Sequence, residues 1–216
     1  MKISIIAASR SVQLLLISSA LVWGGCSSTG VERAESTAES MQYSVANIEK
    51  GKKLIDDTMT SLKKVQESAG TDPRPAFTEY AGNVDDVEAV GTRVNKATKN
   101  MKANSKEYYE KWQKELSGMN NEQLKAISST RQAESQAAFE KVAGSYQGVV
   151  EAYNPFLKDL QDIRTYLSND LTPGGIKAIK PVADKAEVHA NALNDSLTAL
   201  QGQFNILAAA IAPYKK

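Results

Sequence analysis

Apolar residues recur every three or four positions along most of the chain. In the segment 31–69, residues seven positions apart form a row that is apolar throughout: Ala34, Met41, Ile48, Ile55, Leu62 and Ala69. This spacing gives a helix a continuous apolar face, so the segment predicts a long helix with a coiled-coil seam. The adjoining row contains Lys52, which we expect to snorkel to the surface. The alternative is a polar core residue that fixes the register of the helices.

Three further segments carry the same spacing and lie at 75–117, 122–169 and 173–211. The breaks between segments are short and contain residues that end helices, among them Gly70 and Gly118. No segment alternates apolar and polar residues as a β-strand does. Because short connections place consecutive long helices side by side, the sequence predicts an all-α fold. We expect an elongated, antiparallel four-helix bundle, or coiled coil, over 31–216.

Thr172 and the prolines refine the predicted helix ends. Thr172 suits the N-cap and Pro173 the first helical position, so the fourth helix should start there. Pro181 falls in the second turn, where the helix either bends or properly begins. Pro155 falls inside the third helix, where we expect a kink rather than a reversal of the chain.

Side-chain size differs between the two ends of the predicted bundle. Antiparallel folding brings small or flexible residues to one level, toward Cys26: Met41, Ser105, Ser135 and Ala208. Large residues meet at the other end: Phe77, Tyr80, Phe156, Leu160 and Ile163. We therefore expect the half of the bundle near Cys26 to be the slimmer one.

Composition agrees with a single helical domain. The chain has 216 residues, of which 42% are hydrophobic, 24% charged and 6% aromatic, and this length is sufficient for one domain with a core. The formal net charge is +1. A near-neutral chain lacks the clustered basic surface that binds nucleic acid, so we expect no nucleic-acid partner.

The first 25 residues follow a different pattern. Lys2 and Arg10 precede an apolar run at 14–23, and small residues follow it. This is the organisation of a secretory signal peptide. The run is shorter than the roughly 20 residues that span a bilayer. We therefore interpret 1–25 as a cleaved signal peptide.

Cys26, the only cysteine, follows this leader directly. Gly24-Gly25-Cys26 resembles the bacterial lipobox, although Trp23 stands where leucine is usual. The resemblance implies that Cys26 receives a diacylglyceryl thioether and that the bond between Gly25 and Cys26 is then cut. The new amine of Cys26 would be acylated last, by a chain such as palmitate. Several acyl chains would hold the protein on a membrane durably. The alternative is an ordinary signal peptide with an incidental cysteine.

The residue after Cys26 bears on location. An Asp there resembles a signal for retention in the inner membrane, and this chain has Ser27 instead. We therefore expect a lipid anchor on the periplasmic face of the outer membrane of a Gram-negative bacterium. Residues 26–30 would form the lipidated cysteine and a short tether, which places the base of the bundle near the lipid surface.

Candidate catalytic residues are few. His189 is the only histidine, so the chain supplies neither the paired Glu-x-x-His motifs of di-iron bundles nor a set of zinc ligands. A Ser-His-Asp arrangement through His189 with Asp184 or Asp195 is formally possible, but we expect a solvated histidine at a helix edge. The sequence therefore predicts no catalytic residue, no cofactor and no metal site.

Two other groups of residues have structural interpretations. The adjacent pairs Asp56-Asp57 and Asp85-Asp86 point in different directions on a helix, and we interpret them as solvated surface. Tyr108, Tyr109 and Trp112 either line a ligand groove or belong to the core, which their heptad spacing favours.

Several features together resemble one protein family. They are the lipobox, the chain length, the run YEKWQKEL at 109–116, the break at 169–173 and the alanine-rich last helix. With these features the chain is similar to the domain-of-unknown-function 2959 family of uncharacterised proteobacterial coiled-coil lipoproteins. The resemblance covers most of 31–211. It implies an α-helical envelope lipoprotein and supplies no catalytic residue.

The function expected from these observations is non-enzymatic. We expect a lipid-anchored structural or interaction protein of the bacterial cell envelope, with the membrane and an envelope protein as partners. The alternative is a periplasmic carrier or chaperone-like bundle for an apolar ligand, a lipid or an envelope protein.

Overall fold

The structure, a computed structural model, describes residues 30–211. The side chains of 30–41, 97–98, 100–102, 104–105, 107–108, 111 and 208–211 are outside this description. The described residues form five α-helices: α1 (Gly30–Glu67), α2 (Arg74–Ser117), α3 (Glu122–Asn169), α4 (Pro173–Ala178) and α5 (Lys180–Ile211). A 3₁₀ turn, Ser68–Gly70, follows α1, and the described part of the chain contains no strand. The predicted signal peptide, Gly25 and Cys26 lie outside the described residues.

The four long helices form a bundle in which each packs against two neighbours. Both α1 and α3 pack against α2 and α5. Lys64 of α1 pairs with Glu79 of α2, and Asn83, one turn further along α2, reaches back to Ser61. The two helices therefore run in opposite directions, and the predicted all-α bundle is confirmed.

The helix ends follow the capping residues. The Asn121 side chain accepts a hydrogen bond from the Leu124 amide (3.0 Å), and Thr172 accepts one from Gly175 (3.1 Å). These bonds satisfy amides that have no partner inside the helix. The N-cap prediction for Thr172 is therefore confirmed.

Pro155 and Pro181 have different effects on the helices, and the predicted kink at Pro155 stays a prediction. α3 continues through Pro155 without a reversal of the chain. The predicted fourth helix, in contrast, is two elements, because α4 ends at Ala178 and α5 begins at Lys180. Pro181 has no amide hydrogen and so cannot continue the hydrogen bonds of the helix backbone. The amides of Val182 and Ala183 both donate to the carbonyl of Ile179. The longer helix therefore properly begins next to Pro181.

The core follows the predicted heptad rows. Among the buried residues are Ile48, Ile55 and Leu62 of α1, Tyr80, Val84 and Val87 of α2, Tyr146, Phe156, Leu160, Ile163 and Leu167 of α3, and Ala183, Ala190, Leu193 and Leu200 of α5. α1 also buries Thr58 and Ser61, whose hydroxyls donate to the carbonyls of Leu54 and Thr58. The buried stripe of α1 is thus wider than the two predicted rows.

The α2–α3 hairpin extends past the end of α5. Tyr146 of α3 lies edge-on to Phe204 of α5, with 5.8 Å between ring centroids. From that level α3 continues back to Glu122, whereas α5 continues only to Ile211. The connection between α2 and α3 therefore forms a tip beyond the four-helix section, at the end of the bundle where α1 begins.

Candidate functional site

A largely apolar space lies in the middle of the bundle. It is a cavity of about 80 Å³, several times the roughly 10–15 Å³ that one water molecule requires. All four long helices line it: Asn47, Ile48, Gly51, Leu54 and Ile55 from α1; Val87, Val90, Gly91, Val94 and Asn95 from α2; Tyr146, Val149, Val150 and Tyr153 from α3; and Leu193, Leu197 and Leu200 from α5. We call this space the central cavity.

Two glycines and a tyrosine shape the central cavity. Gly51 is part of its wall, and a Cβ added there would meet no atom within 4 Å. Gly91 has the opposite environment, because the Tyr153 ring occupies the place of its missing side chain. The Tyr153 hydroxyl donates to the carbonyl of Val87 at 3.2 Å. The Tyr153 ring of α3 is therefore held against α2, and the position of the missing Gly51 side chain is open.

The central cavity contains a buried amide without a protein partner. Asn47 is 7% exposed, and neither Nδ2 nor Oδ1 has a hydrogen-bond partner among the described residues. An unsatisfied buried polar group costs about 1–3 kcal/mol of stability, and native proteins pair nearly all such groups. Asn47 is thus a buried and unpaired amide beside an otherwise apolar wall, and neither of its polar atoms is accessible from the cavity.

No strongly ionisable residue lines the central cavity. Its polar residues are Asn47, Asn95 and two tyrosines. Burial raises the pKa of the Tyr146 phenol to about 12. The pKa of the Tyr153 phenol is also raised to about 12, mainly by burial and to a smaller extent by the nearby Glu88 carboxylate. Both phenols are neutral at physiological pH. The lining of the central cavity is therefore almost entirely apolar and uncharged.

A second polar cluster surrounds Asp159 of α3. The Asp159 side chain is 6% exposed, and its Oδ2 lies 2.7 Å from Nδ1 of His189 on α5. Its Oδ1 lies 3.4 Å from Nζ of Lys185, one turn earlier on the same helix. A buried carboxylate is costly unless it is paired, and the imidazole and ammonium groups provide that pairing.

The prediction of a solvated His189 is wrong. The His189 side chain is 24% exposed and bonded to Asp159. The predicted neighbours do not take part, because Asp184 pairs with Lys180 and Asp195 is an exposed residue. No serine is among the partners of His189 in the described part of the chain, so the cluster ties α3 to α5 and does not form a Ser-His-Asp arrangement.

Lys52 has features of both interpretations offered for it. Its side chain is 20% exposed, and Nζ donates to Oε1 of Gln201 on α5 at 3.2 Å. Nζ also lies 3.6 Å from Glu49 on its own helix. The partial exposure and the contact with the exposed Glu49 fit snorkelling, and the bond to α5 fits the alternative of a residue that fixes the register.

The aromatic residues near the hairpin belong to the α2–α3 interface. Tyr109 stacks on Trp112, with 6.5 Å between ring centroids, and meets Phe139 edge-on. Tyr109 shares a 3.0 Å hydrogen bond with Ser135, and the Trp112 indole donates to Ser128 at 3.1 Å. The small serines of α3 thus receive aromatic residues from α2. Tyr108 lies outside the described side chains, as do Met41, Ser105 and Ala208, so the predicted slim half stays a prediction.

The tip of the hairpin exposes apolar side chains. Met119 is 39% exposed, Leu124 58% and Ile127 52%. Leu124 and Ile127 are three residues apart on α3 and therefore share a face. We call these three residues the apolar tip.

The remaining candidates are surface features. Asp57 pairs with Lys53, Asp85 pairs with Arg164, and both aspartates are exposed, as predicted. Within the described residues, no group of three or more His, Cys, Asp or Glu residues is arranged to hold a metal ion. None of the helices over 30–211 combines the length and the hydropathy needed to cross a membrane.

Comparison with known proteins identifies the family. The family model described as "Protein of unknown function (DUF2959)" matches residues 23–205. The chain belongs to this family. No significant match was found among curated proteins or solved structures. The match spans Cys26, α1 to α4 and most of α5, so the bundle and the central cavity of this DUF2959 member lie within the family region.

The predicted and observed sites differ. Gly25 and Cys26, the predicted cleavage and lipidation residues, lie outside the described residues and stay predictions. Asn47 and Asp159 were not singled out from the sequence. A signal for Asp159 was present, because it lies between Phe156 and Ile163 at a position that a buried helix face usually fills with an apolar residue.

Proposed function

We propose that the chain is a non-enzymatic interaction protein of the bacterial cell envelope, held on the periplasmic face of the outer membrane by lipid on Cys26. The leader at 1–25 and the position of Cys26 support the anchor and the location. Membership of the DUF2959 family is compatible with this function but assigns no activity. The proposal includes no metal, cofactor or nucleic acid.

The apolar tip is the observation that carries the interaction function. Leu124 and Ile127 are each more than half exposed and lie on one helix face. Clustered exposed apolar residues are typical of surfaces that bind a partner. The tip lies at the end of the bundle where α1 begins, and so on the side from which the tether to Cys26 leaves. We propose that it contacts an envelope protein close to the membrane.

Site-specific photo-crosslinking in cells tests this function. A photoreactive residue at Ile127 should form reproducible adducts with one envelope protein, whereas the same residue at the exposed Ser129, on another face of α3, should not. Leu124→Asp should abolish the adducts while the far-ultraviolet circular dichroism stays unchanged. Equal adducts from positions 127 and 129, or none from either, would contradict the proposal.

The central cavity favours a second candidate function, that of a carrier for an apolar ligand. All four long helices line it, and its walls are almost entirely apolar. Native mass spectrometry of the protein purified from cells should show a bound small molecule that dissociates when the protein unfolds. A mass equal to that of the protein alone, in every preparation, would exclude this function.

A further inference from the structure

The outward face of α5 carries a second row of regularly spaced residues. Val188 and Ile206, at the two ends of this row, are 65% and 64% exposed. Successive members lie alternately four and three positions apart, which is the spacing of a coiled-coil seam, and all are exposed or half-buried: Val188, Ala192, Asp195, Ala199, Gly202 and Ile206. We call these six residues the outer α5 row. α5 therefore has one seam in the core of the bundle and another on its surface.

Charged residues are almost absent from this part of α5. Between 188 and 211, Asp195 is the only Asp, Glu, Lys or Arg, whereas 24 residues of the average composition of the chain, which is 24% charged, would contain about six. The exposed face of a helix normally carries charged and polar residues, and the core of a protein interface is depleted of charge. The composition of the outer α5 row therefore favours contact with another protein surface.

The outer α5 row is complementary to itself when two copies run in opposite directions. A two-fold axis at the level of position 197 places Val188 opposite Ile206 of the second copy, and Ala192 opposite Gly202 of the second copy. Large side chains then meet at both ends of the contact, about 27 Å apart at 1.5 Å per residue. Small side chains meet between them and allow the two helices to approach closely. The same surface serves both copies, so the pair is closed.

Asp195 distinguishes the two possible directions of the pair. In a parallel pair with equal residue numbers opposite, Asp195 faces Asp195 of the second copy, and such a like-charge contact is unfavourable. In the antiparallel pair Asp195 faces Ala199 instead, and the two aspartates are displaced from each other by about 6 Å along the helix axis. The charge of this row therefore favours the antiparallel direction.

We propose that the outer α5 row is the contact surface of a homodimer, in which α5 packs antiparallel against α5 of a second copy of this chain. The contact is about 27 Å long and about 10 Å wide, the width of one helix. This area is below the roughly 800 Å² per partner of a standard complex, so the dimer is a weak one. The two apolar tips then lie at opposite ends of the pair. This inference depends on neither the apolar tip nor the lipid anchor.

Disulfide crosslinking of the full chain in cells tests the pair and its direction. The double variant Val188→Cys with Ile206→Cys places thiols of the two copies opposite each other, whereas the two thiols of one copy lie about 27 Å apart and cannot form a disulfide. Mild oxidation should give a product with twice the mass of the monomer. Each single variant should give no more of it than the unaltered chain, which controls for Cys26, because its two thiols lie about 27 Å apart in the antiparallel pair.

A charge placed on the outer α5 row should separate the pair. Ala199→Glu, added to the double cysteine variant, places a carboxylate opposite Asp195 of the second copy and should lower the yield of the crosslinked dimer about tenfold. The control is Ala133→Glu, on the exposed surface of α3, which should leave the yield unchanged. Circular dichroism checks that each variant is folded.

Three outcomes would overturn the proposal. Crosslinking of the single variants as strong as that of the double variant would contradict the antiparallel direction. A folded double variant that gives no more dimer than the unaltered chain, or a yield that Ala199→Glu leaves unchanged, would exclude the homodimer. A product with the mass of this chain plus a different protein would show that another partner covers the row.

Discussion

Replacement of His189 by alanine tests the polar cluster that ties α3 to α5. The imidazole lies 2.7 Å from the Asp159 carboxylate, whose side chain is 6% exposed. Without the ring, the charged partner left to this carboxylate among the described residues is Lys185, at 3.4 Å and with a side chain that is 62% exposed. The variant therefore leaves a buried negative charge with one weak partner.

The expected loss of stability is about 2–3 kcal/mol. Removing one partner of a fully buried ion pair costs about 3–5 kcal/mol, and losing a hydrogen bond to a charged group costs about 1.5–3 kcal/mol. Lys185 remains as a partner, and water can enter where the His189 ring was. We therefore expect a loss at the lower end of these two ranges. Asp159→Leu combined with His189→Leu should recover most of the loss, since apolar replacements of buried pairs are often neutral or stabilising.

Urea unfolding followed by circular dichroism measures these effects, with an unchanged m-value as the sign that the denatured state is unaltered. The matched control is Lys180→Ala, which breaks the exposed pair between Lys180 and Asp184 and should cost no more than about 0.5 kcal/mol. If His189→Ala costs no more than this control, or if the double leucine variant is the least stable of the set, the account of the cluster is wrong.

Two further predictions concern a glycine and the buried phenols. Gly175→Ala should lower the free energy of unfolding in urea by about 1–3 kcal/mol, because the added methyl group would collide with the Asp170 carbonyl. The control is Gly174→Ala, whose methyl group would meet only an ordinary contact. Equal stabilities of the two variants would contradict this prediction. Tyr146 and Tyr153 have folded-state pKa values raised to about 12 by burial. Between about pH 10 and 12 the unfolded chain therefore loses protons that the folded chain keeps, and the free energy of unfolding falls. Tyrosinate absorbance of the folded protein should rise in two phases; a single phase near pH 10 would refute the prediction.

The helices and most of the core could be predicted from the sequence because they depend on local spacing. Ile48, Ile55 and Leu62 fall on one heptad row and are buried. Thr172 caps a helix as its residue type and position indicate. Such features depend on residues a few positions apart, so no knowledge of the tertiary arrangement is needed.

Features that depend on the register between helices were missed. Asp159 and His189 are 30 residues apart and meet only because α3 and α5 pair in one register. The central cavity likewise depends on which side chain faces each glycine, since Tyr153 covers Gly91 while nothing covers Gly51. Heptad spacing assigns residues to a face, but it does not determine the level at which two helices meet.

The proposed anchor on Cys26 is the central claim, since it would place the apolar tip and the central cavity at a membrane. Intact-mass spectrometry of the protein extracted from cell membranes tests it most directly. The account predicts a chain that begins at Cys26 and carries the added mass of a diacylglyceryl group and an acyl chain, and a Cys26→Ser variant that leaves the membrane in a carbonate wash. A chain that begins elsewhere, an unmodified Cys26 thiol, or a Cys26→Ser variant that stays on the membrane after that wash would contradict it.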